Sequence, residues 1–376
     1  MLTQSDMPGQ DRTIAVFGAA GHTGRFMVAQ LLRRGFAPLA IGRASAKMKD
    51  AGFEARSVPI RSASIDDPAS LDRSLAGALA VINCAGPFMD TADRVAAAAL
   101  RARIHYLDVT AEQPSAQAIF DRFGNAAAEA GVVVIPAMGF YGGFADLLAT
   151  AAMGNLDSAD EIRLGIALDS WRPTQGTRMT GQRNTAPRLV IEDGKLVPLE
   201  KPASQTSWDF PEPFGRQDMS EVPLSEVPVI ARHLRVARLR TYLNNAPLRD
   251  LRDSTTPPPV AADESGRSAQ TFLVEAVVRN GGTIRRATAQ GRDIYAFTAP
   301  LVVEGVERIL DGRVRRGGAL APGEAFDSTD FLRALAPEHL TFELAANVLT
   351  PRDLESHALN VVDDKPEWSQ TIHHHK

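Results

Sequence analysis

Residues 13–34 run TIAVFGAAGHTGRFMVAQLLRR: an apolar stretch of strand length, a turn holding Gly18, Gly21 and Gly24, and an amphipathic stretch of helix length. Glycines suit that turn physically. A tight turn needs permissive φ and ψ, a pyrophosphate must approach the backbone closely, and the helix must begin close to the strand. Phosphate oxygens then meet unpaired N–H groups at the helix N-terminus, where the dipole favours negative charge. The predicted strand is Thr13 to Phe17. The predicted helix is Gly24 to Arg34, with Met27, Val28, Leu31 and Leu32 on one face and Gly35 as its stop.

The same alternation continues through the next hundred residues. Pro38 to Ile41, Glu54 to Pro59, Ala80 to Cys84, His105 to Val109 and Val132 to Ile135 read as strands, and Leu71 to Ala78, Ala92 to Arg103 (capped by Thr91) and Pro114 to Ala130 as helices. This predicts a doubly wound α/β Rossmann domain over residues 1–142. After Gly142 and Gly143 the pattern changes to hairpins: Arg188 to Val197 turns at Asp193-Gly194, and Thr271 to Arg279 meets Thr283 to Gln290 across Asn280-Gly281-Gly282. Phe144 to Met153, the basic segment Glu226 to Leu243 and Ala296 to Leu310 read as helices, and Asp253 to Gly266 as a linker. Residues 143–376 are therefore expected to form an α+β substrate-binding domain, with C-terminal helices able to pack back on the first domain. A length of 376 residues agrees with two domains.

Composition narrows the function. With 41 Lys and Arg against 45 Asp and Glu, the net charge of -4 argues against a protein that grips nucleic acid or an anionic membrane. Cys84 is the only cysteine, which excludes an intramolecular disulfide and a cysteine zinc cluster. The histidines outside the tail, His22, His105, His233, His339 and His357, are scattered, so no metal is expected. No apolar run approaches the ~20 residues that span a bilayer. The N-terminal Met1 to Arg12 is polar, without a signal-peptide core. These features predict a cytoplasmic protein acting on a small molecule.

Gly18, Ala20, Gly21, His22, Thr23 and Gly24 are the expected pyrophosphate site. Near the end of the second strand an NAD site generally carries an acid for the ribose hydroxyls. Here stand Arg43, Ser45 and Lys47, with no acid before Asp50. Cations suit a 2′-phosphate, so the expected cofactor is NADP rather than NAD. The turn Ala85-Gly86-Pro87 after the fourth strand should lie along the cofactor. Cys84 reads as a small apolar residue closing a buried strand rather than a nucleophile.

Gly18 to Gly24, Arg43, Asn83 to Phe88, Tyr106 to Glu112 and Pro136 to Leu147 together resemble the saccharopine dehydrogenase-like oxidoreductases. The resemblance continues through Gly176-Thr177, the Asp193-Gly194 hairpin, Asp293-Ile-Tyr295 and Thr298-Ala299. It implies an NAD(P)-binding Rossmann domain, a second α/β domain with a substrate cleft between the two, and a homodimer. Gly139-Phe140-Tyr141-Gly142-Gly143 departs from the Gly-Phe-Asp-Ser pattern of one enoyl-reductase-like branch, so that branch's substrate is not carried over.

No Tyr-x-x-x-Lys pair, Gly-x-Ser-x-Gly elbow, Walker loop or His-Glu-x-x-His helix is present. The candidates for proton transfer are Tyr141, in the glycine-rich turn past the sixth strand, and Asp108. Arg178 and Arg183 are candidates for a substrate anion. The stripe Arg232, His233, Arg235, Arg238 and Arg240 is either a solvated helix face or a second anion site. The function expected is hydride transfer to or from a C=N, C=O or C=C bond of a small anionic substrate. The competing expectations are a non-catalytic NADP(H)-sensing regulator and a non-redox epimerase or lyase that retains NAD(P).

Overall fold

The structure is a computed structural model that describes residues 12–43 and 46–347. Ser45, the polar start of the chain and the His373 to His375 tail lie outside the described residues. The first sheet contains β1 (Thr13–Phe17), β2 (Ala37–Gly42), β3 (Ile60–Ser62), β4 (Ala80–Asn83), β5 (His105–Asp108) and β6 (Val133–Ile135). They run in the order β6-β5-β4-β1-β2-β3, all parallel. Helices α1 (His22–Arg33), α2 (Ala46–Lys49), α3 (Pro68–Leu75), α4 (Phe88–Ala102) and α5 (Gln113–Ala130) make the crossovers. Buried on both faces, β1, β2 and β4 are nearly continuous apolar runs.

After β6 a five-residue π-type turn, Phe140–Phe144, leads into α6 (Ala145–Met153), which packs under a second sheet. That sheet holds β7 (Ala159–Leu168), the hairpin β8 (Leu189–Glu192) and β9 (Lys195–Pro198), β10 (Gln205–Asp209), β11 (Arg216–Glu221), β12 (Val236–Asn244), β13 (Thr271–Asn280) and β14 (Thr283–Arg292). Its helices are α7 (Gln175–Arg183), α8 (Glu226–Ala231) and α9 (Asn245–Arg252). The chain then returns. Helix α10 (Ile294–Leu310) lies against α1, where Arg34 pairs with Glu304 at 2.5 Å and with Glu307. Strand β15 (Gly318–Ala319) joins β6 as a seventh parallel strand of the first sheet. Two short helices, α11 (Pro322–Ala325) and α12 (Ser328–Leu335), precede β16 (Leu340–Asn347), which closes the second sheet beside β14.

Several local expectations are corrected. Where a strand over 54–59 was expected, Glu54–Arg56 form a 3₁₀ turn, and the third strand follows at Ile60. Leu32 is 38% exposed while Met27, Val28 and Leu31 are buried, because the apolar stripe of α1 is one residue narrower than its sequence suggests. Thr91 does not cap α4, which begins at Phe88; its hydroxyl donates to Ala85 O at 2.6 Å. The segment 226–243 is a short helix followed by a strand. From Val236 onward the alternation has period two, and β12 pairs in parallel with β7. The hairpin turns form as expected: Asp193 (φ 49°) and Gly194 (φ 72°) both adopt the positive φ that a two-residue turn of this hand needs.

Asp146 of α6 is fully buried and accepts from Gly323 N at 2.7 Å and from His233 Nε2 at 2.7 Å, tying the second domain to the returning segment at α11. His233 is held above its ordinary pKa by Asp146, and Glu324 adds to this, although burial opposes both. The folded state thus holds this proton more tightly than the unfolded chain. The pair's stabilisation is complete below the unfolded pKa of about 6.5 and declines as pH rises through the higher folded value. His233→Ala leaves a buried carboxylate without its cation and is expected to cost about 3–5 kcal/mol at pH 6. Urea unfolding at pH 6 and pH 9 checks this; the variant should lose more stability at the lower pH.

Candidate functional site

The loop from Gly18 to Gly24 is built by contacts that exclude side chains. Gly18 has φ +81°, and a Cβ there would lie 2.9 Å from Ala85 N. At Gly24 a Cβ would lie 2.3 Å from Gly18 O and 2.8 Å from Ala19 Cα, so α1 can start this near β1 only without a side chain. Gly21 is the N-cap residue of α1, and no side chain caps it. The first N–H groups of α1 therefore point out of the sheet's C-terminal edge without an intrahelical acceptor. His22 and Thr23 are the first residues of the helix, and Ala20 sits in the turn, its carbonyl accepting from Arg25 Nε at 3.3 Å. The His22 Nε2 atom is buried and has no partner, and burial holds the ring below its ordinary pKa.

A buried polar network shapes the neighbouring turns. Asp108 is fully buried, and its carboxylate accepts from Tyr106 Oη at 2.9 Å, Thr110 N at 3.0 Å and Ala137 N at 2.9 Å. Asn83 donates to Thr91 Oγ1 at 3.1 Å and accepts from Ala85 N at 3.0 Å, which fixes the Ala85-Gly86-Pro87 turn. Glu112, 1% exposed, accepts from Phe88 N at 2.7 Å and Met89 N at 3.1 Å and so caps α4 from a distance. Burial pushes the Asp108 carboxyl up to about 6, against the pull of its three donors. Its hydrogen bonds go to backbone and Tyr106, with Oδ1 taking two and Oδ2 one. Cys84 lies beside it, and burial pushes its thiol up to about 12, so it offers no thiolate.

At the other end of the cleft Arg43 is exposed, with no ion pair or hydrogen bond among the described residues. Lys47 reaches across to Gln175 Oε1 at 3.2 Å. That contact introduces α7, which spans the mouth of the cleft. A Cβ on Gly86 would lie 3.1 Å from Thr180 Oγ1, and Arg183 pairs with Asp90 at 2.7 Å. Arg178 donates to Asp253 O at 3.1 Å and Thr256 O at 2.9 Å. Arg178 thus links α7 to the 253–256 segment, and Arg183 links its end to Asp90. Part of the basic stripe is likewise neutralised: Arg240 pairs with Glu192 and with Glu221 at 3.3 Å, and Arg238 with Glu192 at 3.5 Å.

Tyr295, which stands at the start of α10, has its hydroxyl 2.9 Å from Thr177 Oγ1 and accepts from Trp171 Nε1 at 2.9 Å, and its ring meets His22 edge to face at 5.3 Å. Asp293, at φ +59°, caps α10 and accepts from Ser268 N at 2.6 Å, which sets Tyr295 in place. Tyr141 stacks on Trp171 with centroids 5.3 Å apart; its hydroxyl is buried and unpartnered. Beside Tyr295 a cavity of about 300 Å³ opens, lined by Asp169, Ser170, Pro259, Val260 and Gln270. Glu112, Trp171, Thr177 and Tyr295 were not singled out as site residues from sequence, because only the fold brings them together. Gly176-Thr177 and Asp293-Tyr295 were visible only as parts of the family resemblance.

The parallel sheet, its glycine turn and the helix N-terminus without a side-chain cap make a Rossmann-like fold, which a second, mostly antiparallel sheet follows in the chain. Residues 14–135 match the saccharopine dehydrogenase NADP binding domain. The rat protein named saccharopine dehydrogenase-like oxidoreductase is 30% identical over 145 residues, covering 34% of each chain. An Arabidopsis protein named probable mitochondrial saccharopine dehydrogenase-like oxidoreductase is 29% identical over 153 residues, covering 37% of this chain and 33% of its own. The match thus spans about a third of the length of these curated relatives. The solved structure of apo saccharopine dehydrogenase (L-Glu forming) from Saccharomyces cerevisiae superposes with a TM-score of 0.62 at 12% identity, covering 89% of this chain and all of that one. That likeness concerns the fold, and it extends across both sheets. Among the described residues no helix is long and apolar enough to cross a membrane, and no cluster of three metal-ligating side chains occurs.

The Asp108 network has a testable stability signature. A folded-state pKa of about 6 against 3.8 unfolded means that the folded protein binds this proton more tightly, so the group's contribution falls as pH rises between about 4 and 6. Asp108→Asn is expected to remove that decline. Asp108→Ala strands three buried donors and should cost on the order of 4 kcal/mol. Thermal unfolding from pH 4 to pH 8 checks both variants.

Proposed function

We propose that the protein is an NADP-dependent oxidoreductase that transfers hydride to or from a C=N, C=O or C=C bond of a small anionic substrate held between the domains. The observation that carries this reading is the Gly18–Gly24 cradle: its helix N-terminus has no side-chain cap, and a Cβ would fill it at Gly18 and Gly24. Such a cradle fits a pyrophosphate, with the N–H groups of His22, Thr23 and Gly24 and the orphaned His22 Nε2 as its donors. Arg43, without an ion pair among the described residues, would take the 2′-phosphate together with Lys47, with Ser45 as a third candidate from the sequence. Ala85, Gly86 and Pro87 would lie along the nicotinamide half.

When bound, the cofactor supplies or accepts the hydride; the protein's part is orientation, exclusion of water and proton transfer. In this reading α7 shields the cleft, and Tyr141 gives a proton to the substrate or takes one from it. Asp108 acts as a positioning group, since its oxygens are occupied by Tyr106, Thr110 and Ala137. A reducing, cytoplasmic compartment accords with the single cysteine, Cys84, a free thiol. A homodimer is the assembly that the family resemblance suggests.

Calorimetric titration with NADPH, NADP+ and NAD tests the cofactor assignment. Arg43→Asp is expected to lower NADP affinity relative to NAD at least tenfold, which is about 1.4 kcal/mol. Gly21→Asp, placing a carboxylate beside the pyrophosphate, should abolish binding of both. An unchanged NADP to NAD ratio in Arg43→Asp would overturn the assignment, and no binding of either dinucleotide at millimolar concentration would overturn the function.

A further inference from the structure

No residue of α7 is buried, so apolar packing does not hold this helix where it lies. Polar contacts do. At its start Gln175 Oε1 accepts from Lys47 Nζ at 3.2 Å, beyond the end of β2. Further along, Thr180 Oγ1 lies 3.1 Å from where a Cβ on Gly86 would stand, beyond the end of β4, and Arg183 pairs with Asp90 of α4 at 2.7 Å. In the sheet β1 runs between β2 and β4. Strands are spaced at about 4.8 Å, so two spacings make about 10 Å, and the nine residues of α7 span about 13 Å. The helix therefore crosses the carboxyl end of β1, where the Gly18–Gly24 loop begins and where an open parallel sheet binds ligands.

The crossing leaves the loop open. Gly21, the N-cap residue of α1, stays exposed. Gly176 and Gly181 of α7 are exposed as well, and a Cβ on Gly181 would meet nothing within 4 Å. The contacts that carry the helix stand on the two rims, Lys47 on one side and Gly86 and Asp90 on the other. A helix propped on its rims above an exposed glycine loop spans a slot that suits an extended dinucleotide.

The helix is fastened unequally. At its start Thr174 Oγ1 accepts from Thr177 N at 3.1 Å, and Thr177 Oγ1 lies 2.9 Å from Tyr295 Oη, whose ring meets His22 of the glycine loop. Arg178, in the middle, donates to the Asp253 and Thr256 carbonyls of its own domain. Beyond it comes Gly181, a poor helix former, and then Arg183, whose ion pair with Asp90 is exposed, the two side chains being 60% and 40% accessible. The last turn can therefore leave the Gly86 rim while the first stays tied to Tyr295.

We propose that α7 is a gate over the cofactor site: the dinucleotide lies between the Gly18–Gly24 loop and the helix, and enters and leaves when the turn that carries Thr180 and Arg183 lifts from Gly86 and Asp90. This rests on the oxidoreductase reading above. Lys47 has three donors and Gln175 takes one, which leaves the ammonium able to meet a 2′-phosphate without releasing α7. Closed over the cofactor, the helix keeps water from the reacting atoms; open, it lets the spent dinucleotide exchange.

Two measurements on the full-length protein test this, with NADPH as the probe and no substrate. Amide hydrogen exchange of the unmodified protein should slow roughly tenfold at residues 179–184 when NADPH is bound, together with residues 18–24, while the hairpin at 189–198 keeps its rate. Unchanged exchange at 179–184 alongside slower exchange at 18–24 would overturn the gate and leave the cofactor site standing. Stopped-flow mixing reads the rates. The Arg183–Asp90 pair holds the gate shut with or without cofactor, so Arg183→Ala should raise the association and dissociation rate constants for NADPH together, each about threefold, with Kd nearly unchanged. Arg183→Lys, which keeps the charge, should hold both near their original values. Unchanged rates in Arg183→Ala, or faster dissociation alone with Kd rising in proportion, would make α7 a static wall and overturn the proposal. Absence of NADPH binding in both measurements would instead remove the oxidoreductase reading and the gate with it.

Discussion

The carboxylate of Asp108 takes hydrogen bonds from Tyr106, Thr110 and Ala137, and the shape of the cleft follows from those three bonds. Tyr106 lies on β5 itself, Thr110 opens the loop after it, and Ala137 stands just past β6 in a positive-φ conformation that an alanine does not adopt freely. Asn83 extends the same network to the Ala85 turn after β4. A carboxylate without solvent is costly, so each donor has to stay in place. The ends of three strands are thereby fixed relative to one another. Through Ser225, which donates to the Thr110 carbonyl, the second domain is set against the same point.

Two further constraints seat the domains on each other. Helix α10 packs along α1, with Arg34 held between Glu304 and Glu307, so the helix that starts at the glycine loop is braced by the C-terminal half of the chain. Strand β15 adds a parallel strand beyond β6. Helix α7 then crosses the open side, with polar contacts to Lys47 at one end and Asp90 at the other. Those end contacts are exposed and individually weak, whereas Tyr295, Thr174 and Thr177 form a more enclosed anchor near the start of α7. The helix that shields the cleft is thus fastened more firmly at its beginning than at its end.

Legibility from sequence followed the range of the interaction. The Gly18–Gly24 turn was readable because its requirement is local: glycine is needed within a few residues of strand and helix. The Asp193-Gly194 and Asn280-Gly281 hairpins were readable for the same reason, since turn chemistry sits in adjacent residues. The break between α8 and β12 was not, because Arg232 to Arg240 carries mixed spacings and the strand is decided by its pairing with β7, some 75 residues away in the chain. Arg178 and Arg183 were conspicuous as cations, but whether a guanidinium is free depends on partners such as Asp90 and the Asp253 carbonyl, which lie far off in sequence.

By itself the sequence determined the parallel βαβ sheet, the place of the phosphate-binding turn and the cationic character of the loop after β2. Each depends on backbone freedom, hydrophobic period or residue charge, which are properties of short segments. Only the tertiary structure decided which charges remain free and which buried polar atoms lack partners. Burial and pairing are set jointly by residues that the chain keeps far apart.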